Sequence, residues 1–430
     1  MIIGQEIMLI TESGTMFSGF SWLVLNAASI CIAFRHRSTA DGQKFEGYAF
    51  VVFYVCRKEI MDNSSSRKYY LDWLRLFALT GIFGYTAAMP FTNQPWLISN
   101  HTDSLLLNKV VPLLQLWAPA LFFFSAGAVA SLVNHKRSRQ GVVLLWLRRL
   151  FIPFIVGLLI IVPPQVYLER LCQGYDGSFW QFYGSVFHFK LYPEENTSWQ
   201  HLWLLAYMAL YEIILFRVAH LLSHPGFRWL SLGGNIYCLL FIPLVWGTLT
   251  SCGFQDPGLI IWWLLLATAG FLCTRQPELT EQLRLYRRSS LLLALCTIMI
   301  LRWLPQTLLA TLSRPLSTWL IVFTITGYAK QYLHQHRLLS YTNQFLPAFY
   351  ILQQTLVVGM TWYLLPLNST PLLKYLFIIL TTYLTTIILF NIVISGSTFL
   401  RCCFGVKPRQ PVVATGKVVK VALPDSCFFY

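Results

Sequence analysis

Two pairs of polar residues, each spaced eleven apart inside an apolar run, are the part of this chain equipped for chemistry. Arg75 and Thr86 form one pair, and His201 and Glu212 the other. On a helix, eleven residues bring the second side chain to within about 20° of the first and roughly 16 Å along the axis. Each pair therefore marks one polar face running from a membrane boundary past the middle of an apolar layer. Asp72 precedes Arg75 by three residues and shares its face. An imidazole titrates near neutrality and can take a proton from a hydroxyl, which makes His201 a candidate base. The alternative is an interfacial histidine that hydrogen-bonds loop backbone. For Asp72 and Arg75 the plain alternative is an i,i+3 salt bridge near the headgroups.

A charge near the centre of a membrane helix costs on the order of 2.5–3.5 kcal/mol on insertion. Glu212 and Arg302, each near mid-depth of its own span, are therefore expected to pair. Such a pair either fixes helix register or lines a substrate cavity.

The elements that must hold these residues are membrane helices. Of 430 residues, 56% are hydrophobic and 11% charged, with a mean hydropathy of +0.56. A soluble domain carries about 25% charged residues. The fold class is all-α, a polytopic membrane helix bundle. Ten spans are expected at about 71–89, 109–132, 150–168, 201–222, 229–249, 257–273, 290–311, 316–333, 346–366 and 372–396. With this count the basic clusters fall on one side: Arg67 and Lys68, Lys136 to Arg149, Arg228, Arg275 to Arg288, Lys330 and Arg337, and Arg401 to Arg409. The positive-inside bias makes that side cytoplasmic, and with it the C-terminus. The net charge of +15 belongs to these helix ends and anionic headgroups, and no nucleic-acid role is read from it.

The ten-span region runs over 61–405, followed by a tail at 406–430. Residues 1–60 are an atypical extension, with an apolar run at 17–34 and a second too short to span. Met61 is the expected native start, with one extra membrane span as the alternative. Prolines at 153, 163, 164, 243, 305 and 347 break or kink spans, which bundles accept where neighbours or a wet cavity satisfy the freed backbone. The ten cysteines show no metal-ligand spacing, and no metal is expected; Cys172 and Cys252 lie in outer loops where an oxidising compartment would let them pair. GxSxG, P-loop and HExxH motifs are missing from the sequence, so serine-hydrolase, nucleotide-hydrolase and zinc-protease chemistry have no residues to carry them.

Seven stretches together resemble acyltransferase family three, in particular its glucan-modifying branch. They are YYLDWLRLFAL in the first span, FFFSAG at 122–127, LRRLFIPF at 147–154, GSFWQFYGSVF at 177–187, YPEENTSWQHLWLLAY at 192–207, LPAFYILQQTL at 346–356 and the closing FGVKP. The resemblance implies a multi-pass protein of the bacterial inner membrane. It would move an acetyl- or succinyl-type group from acyl-CoA, as co-substrate, to a hydroxyl of a carbohydrate or lipid-linked glycan. Membrane lipids are its surroundings, and oligomeric state is not read from these residues.

The resemblance also assigns positions. Arg75 stands at the family's first-span arginine, and Thr86 where the family has a histidine after ten intervening residues; Gln353 stands where the glucan-modifying branch has a second histidine. Neither Thr nor Gln can act as a base near neutral pH, which leaves His201 as the candidate substitute. Arg148 and Arg149 occupy the position that faces the donor's phosphates, with Trp146 where the family often has another arginine; guanidinium suits phosphate, while positive-inside anchoring explains both arginines without a ligand. Gly127 allows close helix approach, and Ser125 either packs or lines a cavity. The competing functions are a catalytically degenerate relative that binds or helps export a lipid-linked glycan, motivated by the missing imidazoles, and a secondary transporter coupled through Glu212 and Arg302.

Overall fold

The computed structural model describes residues 68–136, 139–187, 198–222, 236–251, 258–304, 307–333 and 339–407. The extension at 1–60, the tail beyond 407 and Cys252 lie outside the described residues. All regular structure among those described is helical.

Among the described residues, ten longer helical segments overlap the stretches expected as spans, and three shorter helices sit at their ends. In chain order they are α1 (Tyr69–Ala88), α2 (Leu105–Lys136), the composite α3 (Gly141–Cys172), short α4 (Phe179–Val186), α5 (Trp203–Leu222), α6 (Tyr237–Ser251), α7 (Gly258–Arg275), short α8 (Pro277–Leu285), α9 (Arg287–Trp303), α10 (Leu308–Tyr332), α11 (Leu339–Leu364), α12 (Pro371–Leu389) and short α13 (Thr398–Cys403). Five of the rods are long and apolar enough to cross a membrane, namely α1 extended to Phe91, α2, α3, α10 and α12 extended to Ile394, and shorter apolar helices accompany them. Leucines and isoleucines such as Leu292, Leu295, Leu373 and Ile392 cover the outside, as lipid requires.

The boundaries differ from expectation where a cap intervenes. The apolar run continuing to 311 suggested a long seventh span, yet α9 ends at Trp303. Thr307 then caps α10, its side chain accepting from the Ala310 N–H at 3.3 Å. His201 lies just outside α5, in a 3-10 turn over Gln200–Leu202.

Helix α2 is central and packs on α1, α5, α7 and α10. Against α7 the approach is backbone to backbone. A Cβ added to Gly127 would lie 1.8 Å from the Ala267 carbonyl oxygen, and one on Gly270 would lie 1.9 Å from that of Phe124. The two glycines answer each other across antiparallel helices, each aiming a Cα–H at the partner's carbonyl. This is the packing role open to Gly127 in the FFFSAG stretch.

At the basic end, side chains bind the rods together. Lys68 Nζ donates to the Thr274 carbonyl at 3.3 Å, and Lys330 Nζ reaches Thr280 at 3.0 Å and Glu281 at 3.1 Å. Arg401 joins Gln344 and the Lys407 carbonyl. Burial, and then the nearby Lys330, lower the Lys68 ammonium below the ordinary lysine range. Glu281 is held down to about 2, first by its hydrogen bond with Arg284 and further by Lys330, with burial opposing.

Two outcomes are expected. Gly127→Ala and Gly270→Ala each force α2 and α7 apart and destabilise by about 3 kcal/mol, read as a lowered unfolding temperature in detergent. A depressed carboxyl pKa contributes stability above its unfolded value that is lost as pH falls through the folded one. Glu281→Gln should therefore be less stable than wild type at pH 7, by a small margin because the pair is exposed, and the two should converge on acidification from about 4.5 towards about 2.

Candidate active site

Helix α11 organises the outer half of the site. It runs parallel to α1, because Lys374 at the start of α12 ties the far ends of both together, reaching Asn100 at 3.0 Å and the Leu365 carbonyl at 3.5 Å. The two helices meet where Phe83 and Phe349 pack edge to face at 5.0 Å between centroids. One turn further out on each, Thr86 follows Phe83 by three and Gln353 follows Phe349 by four, so the two positions where the resemblance expects imidazoles lie at one level of neighbouring rods. Both are buried, and Gln353 Oε1 has no hydrogen-bond partner.

His201 is brought to the same helix. Its Nε2 lies 3.0 Å from the Ile351 carbonyl oxygen. A carbonyl only accepts, so Nε2 carries the proton and Nδ1 keeps its lone pair. Nδ1 is buried without a partner. The turn is held from behind by Tyr350, whose hydroxyl donates to the His201 carbonyl and whose ring sits 5.6 Å from the imidazole. Phe122 of α2 stacks on the other side of Tyr350 at 6.1 Å. The preceding residue, Gln200, has φ +39°. For a residue with a Cβ this is strained backbone, a feature that clusters at functional sites.

The sequence marks the break that shapes this region, though not its solution. Pro163 and Pro164 have no N–H, so carbonyls in the preceding turn lose their helical donors. The Tyr183 hydroxyl satisfies Leu159, whose helical donor Pro163 lacks, at 3.0 Å, and the Thr355 hydroxyl bonds the Ile161 carbonyl at 2.9 Å because the Gln165 N–H turns to Val162 instead. Gln165 then donates to Thr355 at 2.6 Å and accepts from Gln354 at 3.2 Å. A buried polar chain thus links α3 to α11 immediately beside Gln353.

Roughly 16 Å nearer the basic end the character changes from neutral to charged. Asp72 and Arg75 are buried on α1. Two π-turns interrupt α3, and Arg148 and Arg149 are on the first, over Leu147–Phe151. Arg148 is exposed and Arg149 half-buried. Trp146 Nε1 donates to the Ala209 carbonyl of α5 at 2.9 Å, which seats this turn against α5 one turn from Glu212. Arg302 is exposed at the end of α9, so the expected pair with Glu212 does not form. Of the sequence candidates, Thr86, His201 and Gln353 gather in the outer tier and Arg75, Arg149 and Glu212 in the inner one, while Arg148 turns away.

Tyr350, Gln165, Gln354 and the buried Lys374 were not anticipated. The QQT run at 353–355 and the Pro-Pro-Gln run at 163–165 carried the signal for two of them, Gln354 and Gln165. Among the described residues no group of His, Cys, Asp and Glu converges as a metal site.

A helical membrane bundle with a buried polar file, charged at one end and neutral at the other, is the class these features define. The family model described as an acyltransferase domain, acyltransferase family 3, matches residues 68–391, and the chain belongs to that family of membrane acyltransferases. No curated protein and no solved structure matches it.

Gln165→Leu strands the Gln354 amide and should cost about 1–3 kcal/mol, whereas the double variant with Gln354→Leu should recover part of that loss, because removing both partners leaves no orphan. Unfolding temperatures of the three proteins check this.

Proposed function

We propose that the protein is an integral membrane O-acyltransferase that moves an acetyl- or succinyl-type group from acyl-CoA to a glycan hydroxyl. In this reading the basic side faces the cytoplasm of a bacterial inner membrane and receives the donor near Arg149, and the acceptor meets the outer tier. The observation that carries it is the His201 imidazole, anchored at Nε2 and unpartnered at Nδ1, in a chain of this family.

The residues divide the work as follows. His201 Nδ1 takes the proton of the acceptor hydroxyl as that oxygen attacks the thioester carbonyl. The Ile351 carbonyl steadies the resulting imidazolium through Nε2–H, as a fixed acceptor does for a catalytic histidine. As the carbon–sulfur bond breaks, the proton on Nδ1 passes to the leaving thiolate and the imidazole is neutral again. Thr86 and Gln353 hold neighbouring hydroxyls by hydrogen bonds, since neither titrates. Tyr350 is a positioning residue that fixes the turn carrying His201.

The test is transfer from radiolabelled acetyl- and succinyl-CoA to a glycan acceptor by protein in nanodiscs. His201→Ala should lower turnover about 10²- to 10⁴-fold, and His201→Gln equally. Wild type that is inactive while Thr86→His is active would overturn this and support the reading of a retired relative that binds its glycan without acylating it.

A further inference from the structure

Helix α4 is apolar on two opposite sides. One side belongs to the protein: Phe182 and Val186 are buried, and Phe182 packs among the rings of Tyr167, Tyr175 and Phe179. The other side carries Trp180, Gly184 and, just past the last turn, Phe187, at the i, i+4 and i+7 spacing of a single helical stripe. Trp180 is 77% exposed and Phe187 49%, and a Cβ added to Gly184 would meet nothing within 4 Å. The polar side chains of the helix are engaged within the protein. Ser178 and Gln181 cap the helix reciprocally at 2.9 and 3.4 Å, Ser185 donates to the Phe182 carbonyl at 2.6 Å, and the Tyr183 hydroxyl is held by Leu159. The sequence from 177 to 187 contains no charged residue.

The depth of this stripe follows from α1. Its 20 residues rise about 30 Å, the thickness of the apolar layer. Because α1 and α11 run parallel and are level at Phe83 and Phe349, the end of α1 at Ala88 is level with Gln354. The next residue, Thr355, bonds the Ile161 carbonyl, two residues along α3 from the carbonyl that holds Tyr183. Helix α4 therefore sits at the boundary of the apolar layer opposite the basic end. Ile160, between those two carbonyls, is itself exposed, so the stripe continues the lipid-facing surface of α3.

We infer that α4 is an interfacial membrane helix, seated in the headgroup boundary away from the basic end with its Trp180–Phe187 stripe turned into phospholipid. A helix that is apolar all round belongs to a core or a membrane, and here the protein covers only one side. An indole, with an apolar body and one N–H, favours this boundary. A sugar would need several convergent polar groups, which the stripe does not present. Through the Tyr183 hydroxyl the lipid seat also braces α3 at the turn that Pro163 breaks.

Fluorescence of the full protein in nanodiscs tests the seat. The Trp180 component is taken as wild type minus Trp180→Phe, in phosphatidylcholine brominated either near the headgroup or near the chain ends. Shallow bromines should quench that component at least about twofold more than deep ones, since an interfacial helix enters the layer by only roughly 5–10 Å. Gly184→Glu places a charge in the stripe where the added side chain meets no protein atom. Measured against its own Trp180→Phe double variant, it should lose most of the shallow quenching, and Gly184→Leu should keep it. A Trp180 component that neither lipid quenches, that the deep bromines quench most, or that Gly184→Glu leaves unchanged would overturn the inference. So would a component indifferent to lipid but shifted by an added soluble glucan, which would make the stripe a sugar platform, or one indifferent to lipid yet shielded from acrylamide, which would make it a contact with a second copy of the chain.

Discussion

Helices α2 and α7 touch backbone to backbone at Gly127 and Gly270, and the geometry around His201 is referred to that contact. Lipid offers no hydrophobic drive between helices, so close packing must supply it. The two glycines let α2 sink against α7, and the neighbouring aromatic run Phe122–Phe124 is thereby fixed. Phe123 packs on Trp203, Tyr211 and Trp263, and Phe122 stacks on Tyr350. Tyr350 in turn bonds the turn that carries His201. A displacement of α2 would thus reach the imidazole through rigid rings, the kind of packed path that transmits shifts instead of absorbing them.

The second constraint is that freed backbone groups inside the membrane must be satisfied by the protein itself. The Pro163–Pro164 break creates such groups and recruits Tyr183, Thr355 and Gln165 to meet them. The same rule sharpens the meaning of the atoms left over. Gln353 Oε1 on α11 and the Nδ1 of His201, whose ring bonds that helix at Ile351, are two of several buried polar atoms that the protein leaves without a hydrogen-bond partner.

The architecture was largely legible in the sequence because hydropathy and basic loops report membrane spans directly, and the eleven-residue spacings identified both polar faces. Partner identity was not legible. Depth along each span nominated Arg302 for Glu212, but depth says nothing about which rod is adjacent. The arginines of the inner tier come from α1 and from a π-turn of α3. A π-turn adds a residue to the helical repeat, so a 3.6-residue projection could not tell that Arg149 faces inward and Arg148 outward. The role of Tyr350 was hidden for another reason: an aromatic in an apolar span reads as core until the backbone carbonyl it bonds is known.

Placing charge at one end of the polar file and neutral acceptors at the other has a consequence for how the two halves work together. Arg75 and Thr86 share α1 at a separation set by helical rise, while Glu212 is on α5 and His201 in the 3-10 turn that leads into it. A rotation or tilt of α5 would move Glu212 and His201 in concert, so engagement of a ligand at the charged end and the aim of Nδ1 at the neutral end are mechanically coupled. The outer end of that rod is anchored at Ile351 and Tyr350, whose bonds hold the turn carrying His201 against α11.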